Sequence, residues 1–170
     1  MTINESIAMI AAKYIGFQET PNNSGFKDKE FEQRMKDVGW DKGMAWCTFF
    51  CELVWKEAYS KNDEIKKRLT ELFSGSATTT YKNFDLNKLF KTSPDTPVVG
   101  AIAIYRHGSG WQGHAGIVVK TLENATDNVE GNSNDKGGRD GYIVTPKNRK
   151  IIQPYKPTGL NLVGFIHPMQ

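Results

Sequence analysis

Three kinds of side chain in this sequence could together do nucleophilic chemistry, and they lie far apart along the chain. Cys47 sits in Gly43-Met44-Ala45-Trp46-Cys47-Thr48-Phe49-Phe50, where a glycine-bearing loop runs into an apolar stretch of helical period. A thiol in the first turn of a helix faces the positive end of the helix dipole and several unpaired backbone N–H groups. Both favour thiolate, and such placement lowers a cysteine pKa from about 8.5 to roughly 3.5–7.5. A thiol nucleophile also needs a base, and the base needs a third group to fix its tautomer.

Three histidines compete for the base. His114 opens the strand-like run Gly113-His114-Ala115-Gly116-Ile117-Val118-Val119, a rigid mount with glycines leaving room beside the ring. His107 lies in the turn-like Arg106-His107-Gly108-Ser109-Gly110, and His167 precedes Pro168 near the C-terminus. His114 ranks first, His107 next and His167 last. For the third group, Glu130 and Asn132 flank Gly131; in a regular strand residues two apart face one side, so both would reach one imidazole. A carboxylate would stabilise the imidazolium, whereas an amide would only orient the ring.

The elements that must position these residues change period along the chain. Thr2-Ile3-Asn4-Glu5 has capping-box form and opens a first helix through Ile7, Ile10, Ala11, Tyr14 and Ile15. Phe31, Met35 and Val38 mark a second helix closed by Gly39, and a third begins at about Cys47 and buries Phe50, Leu53, Val54 and Ala58. Asp63 to Phe73 reads as a fourth, amphipathic helix; Ser74 to Phe90 reads as a loop with a short helix. From Pro97 onward short β-rich runs follow: Val98 to Tyr105, His114 to Thr121, Asn128 to Glu130, Tyr142 to Thr145 and Leu160 to Ile166. Asp135 to Gly141 is expected to be a turn or flexible loop. Helices first and strands later predict an α+β fold, N-terminal helices packed on a C-terminal antiparallel β-sheet, as a single domain over residues 1–170.

Composition narrows the function. The chain has 170 residues, a net charge of +3, 38% hydrophobic and 24% charged residues, all ordinary for a globular protein. Its cations are scattered; the closest thing to a basic run, Lys147 to Lys150, lacks interleaved aromatics and reads as a solvated turn, so no nucleic-acid partner is expected. The mild positive balance would help approach to an anionic polymer, an effect that salt would weaken. Cys47 and Cys51 are the two cysteines, too few for a disulfide scaffold and without partners for a metal site. Cys51 is expected in the core. No stretch approaches the ~20 apolar residues of a membrane span. Met1 to Phe17 reads as a helix rather than a signal peptide, so export would depend on other machinery.

Trp46-Cys47 with Phe49-Phe50, then Gly113-His114-Ala115-Gly116-Ile117-Val118, then Glu130-Gly131-Asn132 resemble the CHAP peptidases, relatives of the NlpC/P60 group in the papain-like superfamily. Gly16-Phe17-Gln18-Glu19-Thr20-Pro21, with Asn23 and Gly25, resembles the loop before the cysteine helix in bacterial and phage wall hydrolases of this kind, so the likeness spans roughly residues 7 to 166. The resemblance implies a papain-like fold and cleavage of peptidoglycan peptides, as an amidase or an endopeptidase. It implies Cys47 as nucleophile, His114 as base and Glu130 as third member, with Asn132 assisting. Backbone N–H of Cys47 and the Gln18 amide are candidates for the oxyanion; Glu19, Trp111 and Tyr105 are candidates for the groove, and Trp46, counted with the substrate-side residues, is expected to pack behind the cysteine. Asp28, Asp37 and Asp41 are too dispersed for the calcium loop of some such domains, so no metal and no cofactor are expected.

The expected protein is a monomer acting at the bacterial wall or periplasm, delivered by phage lysis or a secretion system. Used as a toxin, it would have an immunity or inhibitor protein as partner. The rival readings are a cysteine peptidase or transferase acting on protein amides, and a non-catalytic wall-binding module.

Overall fold

Side-chain caps set most of the helix starts. In a computed structural model, which describes residues 1–134 and 141–170, α1 (Ile3–Lys13) opens on a reciprocal box. Thr2 Oγ1 accepts from the Glu5 N–H, and Glu5 Oε2 accepts from the Thr2 N–H. Asp28, Asn62 and Ser76 cap α2 (Lys29–Asp37), α4 (Asp63–Leu72) and α5 (Ala77–Asn87) by accepting from the N–H three residues on. The helix between them, α3 (Cys47–Ala58), has Trp46 at its cap and no side-chain acceptor there. Its first N–H groups are therefore left to other partners.

Burial makes α3 the axis of the molecule. Cys47, Thr48 and every residue from Phe50 to Trp55 are buried, with Ala58 half-buried, and the helix packs on α1, α2, α4, α5 and the sheet. Aromatic rings fill the space at both ends of it. Phe26, Phe31 and Phe50 surround Trp46 edge-on, and Phe73, Phe84 and Phe90 surround Trp55.

The sheet follows as β1 (Thr92–Ser93), β2 (Ile102–His107), β3 (Gly113–Thr121), β4 (Ala125–Ser133), β5 (Ile143–Lys150) and β6 (Leu160–Ile166). Their spatial order is β1-β6-β2-β3-β4-β5, with every pairing antiparallel. One face, with Ile102, Ile104, Ala115, Ile117, Val129, Val144 and Ile166, joins the helices in the main core. The other carries a smaller cluster of Ala101, Ala103, Tyr105, Val118 and Phe165, against which Ile151 of the β5–β6 connection and Leu160 of β6 pack. The result is the expected α+β architecture.

Three local expectations need correcting. α5 is a full helix of 11 residues rather than a short one. Its start is hidden by the β-branched run Thr78-Thr79-Thr80, poor helix formers. Thr80 is nonetheless buried, its hydroxyl hydrogen-bonded to the Ser74 and Ser76 carbonyls. Lys147 to Lys150 is not a solvated turn but the end of β5, paired along β4 from Asn128↔Lys147 to Ala125↔Lys150. The regular alternation assumed for Glu130 and Asn132 fails at a bulge: Glu130 pairs with Thr145 and Ser133 with Ile143, and Asn132 takes a left-handed φ of 51°. The turn expected at Asp135 to Gly141 lies, apart from Gly141, outside the described residues.

Candidate active site

Cys47 enters the site as the first residue of α3, and the absence of a side-chain cap there directs backbone donors toward its sulfur. The N–H groups of Thr48, in the same turn, and of Ala115, on β3, both donate toward Sγ. The Ala115 donor is available because of the sheet. The β3–β4 pairing runs from Thr121↔Thr126 to Ile117↔Val129 and does not extend to His114 among the described residues.

His114 completes the contact. Its ring hydrogen-bonds to the Cys47 side chain, and its Nε2 lies 2.8 Å from Glu130 Oε2. With Nε2 on the carboxylate, Nδ1 is the ring atom left for sulfur. Burial disfavours both charged forms, yet each is favoured on balance. The imidazole's hydrogen bond and charge, with the two backbone donors, hold the Cys47 thiol below its ordinary pKa. The Glu130 carboxylate and the sulfur hold His114 well above its own. A thiolate–imidazolium pair is the protonation state this environment favours.

Glu130 has no exposed surface and is held from several sides. Arg149 forks onto it, Nε to Oε1 at 2.9 Å and Nη2 to Oε2 at 2.6 Å, and Asn128 Nδ2 reaches Oε1 at 3.3 Å. Burial would raise the Glu130 pKa; His114 and Arg149 outweigh it and keep the group a carboxylate. The guanidinium also lies over the Tyr105 ring, 5.5 Å from its centre. Two glycines make this arrangement possible. A Cβ on Gly116 would sit 2.6 Å from Glu130 Cγ, and one on Gly131 would sit 2.7 Å from Trp46 and 2.8 Å from Phe50. The carboxylate thus lies across Gly116, while Gly131 lets β4 close on the cysteine helix.

The other expected residues fall into separate places. Trp46 is fully buried, so it backs the cysteine and cannot touch a substrate. Glu19 accepts from Trp46 Nε1 at 2.9 Å, an anchoring role rather than a free carboxylate in a groove. Burial raises the Glu19 pKa against that hydrogen bond. Gln18 belongs to the same loop, which bridges to Ile143 of β5; its side-chain oxygen accepts from Lys27 Nζ. Tyr105 is 2% exposed beneath Arg149, whereas Trp111, in the β2–β3 turn, is 82% exposed. His167 donates from Nε2 to the Thr96 carbonyl, and His107 ends β2, its backbone N–H on Gln112. Cys51 is buried one turn behind Cys47, where burial pushes its thiol pKa well up.

Arg149 is the residue that sequence reasoning missed. A signal existed in Thr145-Pro146-Lys147-Asn148-Arg149: proline is tolerated on an edge strand, and alternation from Thr145 places Arg149 on the face of Glu130. Among the described residues, no cluster of three or more His, Cys, Asp or Glu could hold a metal, and no helix is long and apolar enough to cross a membrane.

Comparison with known proteins agrees with this geometry. The curated proteins and the solved structures give no match. A family model, the CHAP domain, matches residues 39–132, a span that takes in Cys47, His114 and Glu130. Such domains are generally cysteine amidases or peptidases, and the match points to chemistry on cell-wall peptidoglycan. With its antiparallel sheet behind a cysteine-bearing helix, consistent with a papain-like fold, the chain belongs to the CHAP domain family.

Proposed function

We propose that this chain is a peptidoglycan hydrolase that cuts an amide bond of the stem peptide or cross-bridge by thiol catalysis. The observation that carries the reading is the buried, hydrogen-bonded line from Cys47 through His114 to Glu130, with the thiol pKa lowered and the imidazole pKa raised. At rest the proton sits on His114 and the negative charge on Cys47. Sγ adds to the amide carbonyl carbon, and the C=O π electrons move to oxygen. Backbone N–H of Cys47 and the Gln18 amide are the donors we assign to that oxyanion. Lys27 on the Gln18 oxygen turns its NH2 end into the donor.

Collapse of the adduct breaks the C–N bond, and the departing amine takes the proton from His114, leaving a thioester. Neutral His114 then removes a proton from water as the hydroxyl oxygen adds to the thioester carbon. A second collapse releases the carboxylic product and restores thiolate and imidazolium. Glu130 holds the ring throughout; Asn132 shapes the bulged strand end that carries Glu130. Glu19 positions Trp46 behind the nucleophile, and exposed Trp111 contacts the substrate. Residues 1–170 act as one catalytic unit, a monomer working at the wall or periplasm after delivery by phage lysis or a secretion system. An immunity or inhibitor protein is its partner if it serves as a toxin.

Mass analysis of muropeptides released from purified peptidoglycan tests the reading. Wild-type protein is expected to produce new amine and carboxyl ends at one bond, and Cys47→Ala to lose activity by about 10³-fold or more. Equal release by the variant would contradict it.

A further inference from the structure

The β5–β6 connection, residues 151–159, crosses the sheet face opposite the helices and roofs a cavity of about 580 Å³. Its lining includes Arg149, Lys150 and Lys156 together with Tyr105, Gln153 and Tyr155, and among the described residues contains no carboxylate. Arg149 is already paired with Glu130, but Lys150 and Lys156 form no ion pair among the described residues, and two such ammonium groups on one concavity make a field for negative charge. Its walls are pinned in place. The Asn124 side chain bonds both the N–H and the carbonyl of Ile152, and Gly108 N–H donates to the Gly159 carbonyl. Asn161 accepts from the Lys156 N–H and donates to the Lys156 and Gly159 carbonyls, fixing the turn that presents Lys156.

Arg149 joins this cavity to the site already described. Nε and Nη2 bind Glu130, and the quarter-exposed Arg149 side chain also lines the cavity. We propose that the cavity is a subsite for an oxyanion, phosphate or carboxylate, carried by the polymer whose peptides the neighbouring Cys47 cleft cuts. Two ammonium groups beside a guanidinium suit the several acceptor oxygens of such a group. Tyr155, 60% exposed at the rim, offers a ring to the adjoining segment of the polymer. The proposal names a second contact for the substrate of the proposed hydrolase, and binding is measurable without turnover.

Calorimetric titration at constant ionic strength with inorganic phosphate, sn-glycerol 3-phosphate and N-acetyl-D-alanyl-D-alanine provides the test. At least one of these probes should bind saturably, and Lys150→Ala combined with Lys156→Ala should weaken that binding about tenfold or more. Preference for the phosphates assigns the site to a phosphodiester polymer, and preference for the dipeptide assigns it to a peptide carboxylate. Lys150 and Lys156 are exposed, so the double variant is expected to keep its circular dichroism spectrum. No saturable binding by any probe, or undiminished binding by the double variant, overturns the proposal. Wild-type protein that binds phosphate but releases no muropeptides would count against the hydrolase reading alone.

Discussion

At the residue scale, the decisive feature is that every charge in the site has a counter-charge within hydrogen-bond reach. Glu130 accepts from His114 and Arg149 at once, and neither could be removed without leaving a buried charge short of a partner. Arg149→Met is therefore expected to cost about 3 kcal/mol or more in urea denaturation, with Arg149→Lys recovering part of it. A loss below about 1 kcal/mol for the methionine variant would mean that the ion pair is not formed in solution. Glu130→Gln keeps the shape but removes the charge that raises the His114 pKa. The imidazolium then gives up its proton at lower pH, and turnover should fall about 10²-fold or more, with the activity profile displaced. An unchanged profile would place the third group elsewhere. That Cys47, His114 and Glu130 would meet was legible in the sequence because each sits beside local markers: an uncapped apolar helix start, a glycine-flanked strand start and a strand-end acid. Arg149 was not, because its buried partner is a charge rather than an apolar residue, and hydrophobic alternation carries no trace of such a contact.

At the element scale, α3 and the β3–β4 pair meet through absent side chains. Gly131 stands where any Cβ would overlap Trp46 and Phe50, and Gly116 where it would overlap Glu130. Gly131→Ala should lower stability by roughly 1–3 kcal/mol, seen as a fall in Tm. It should also weaken activity, since α3 carries the thiol. An alanine variant as stable as the wild type would show that the strand and helix are spaced more widely than described. The helices were readable from caps and period; α5 was underestimated because threonines occupy its first turn and one of its buried positions. Strand limits were least legible where β4 bulges and where β1, only Thr92–Ser93, offers too short a pattern to detect. The bulge turns Asn132 out of the alternation that a straight strand would impose.

At the scale of the whole molecule, one apolar core runs from α1 through α3 to Ile166 of β6, joining the helical layer to the sheet. Far-UV and near-UV circular dichroism should report a single coincident thermal transition, as one catalytic unit requires. Two separated transitions would divide the chain. The +3 charge and the cation-lined cavity on the far side of the sheet predict that association with anionic wall material weakens as salt shortens the screening length, about 8 Å at physiological ionic strength. The fold class followed from helices preceding strands; the order of the strands did not, because the return of β6 to lie between β1 and β2 is settled by packing across the sheet.

The proposed chemistry depends on imidazole holding Cys47 as thiolate, and the pH dependence of Cys47 alkylation by iodoacetamide, followed by mass spectrometry in the wild type and in His114→Ala, tests this most directly. A lowered thiol pKa means that the thiolate persists as pH falls and disappears only below the shifted value. Wild-type Cys47 should therefore react well below pH about 8.5, the ordinary thiol value, while the variant's midpoint should move up to or beyond it. Cys51 should stay unreactive in both proteins. Identical profiles for Cys47 with and without His114 would contradict the pairing on which the mechanism rests.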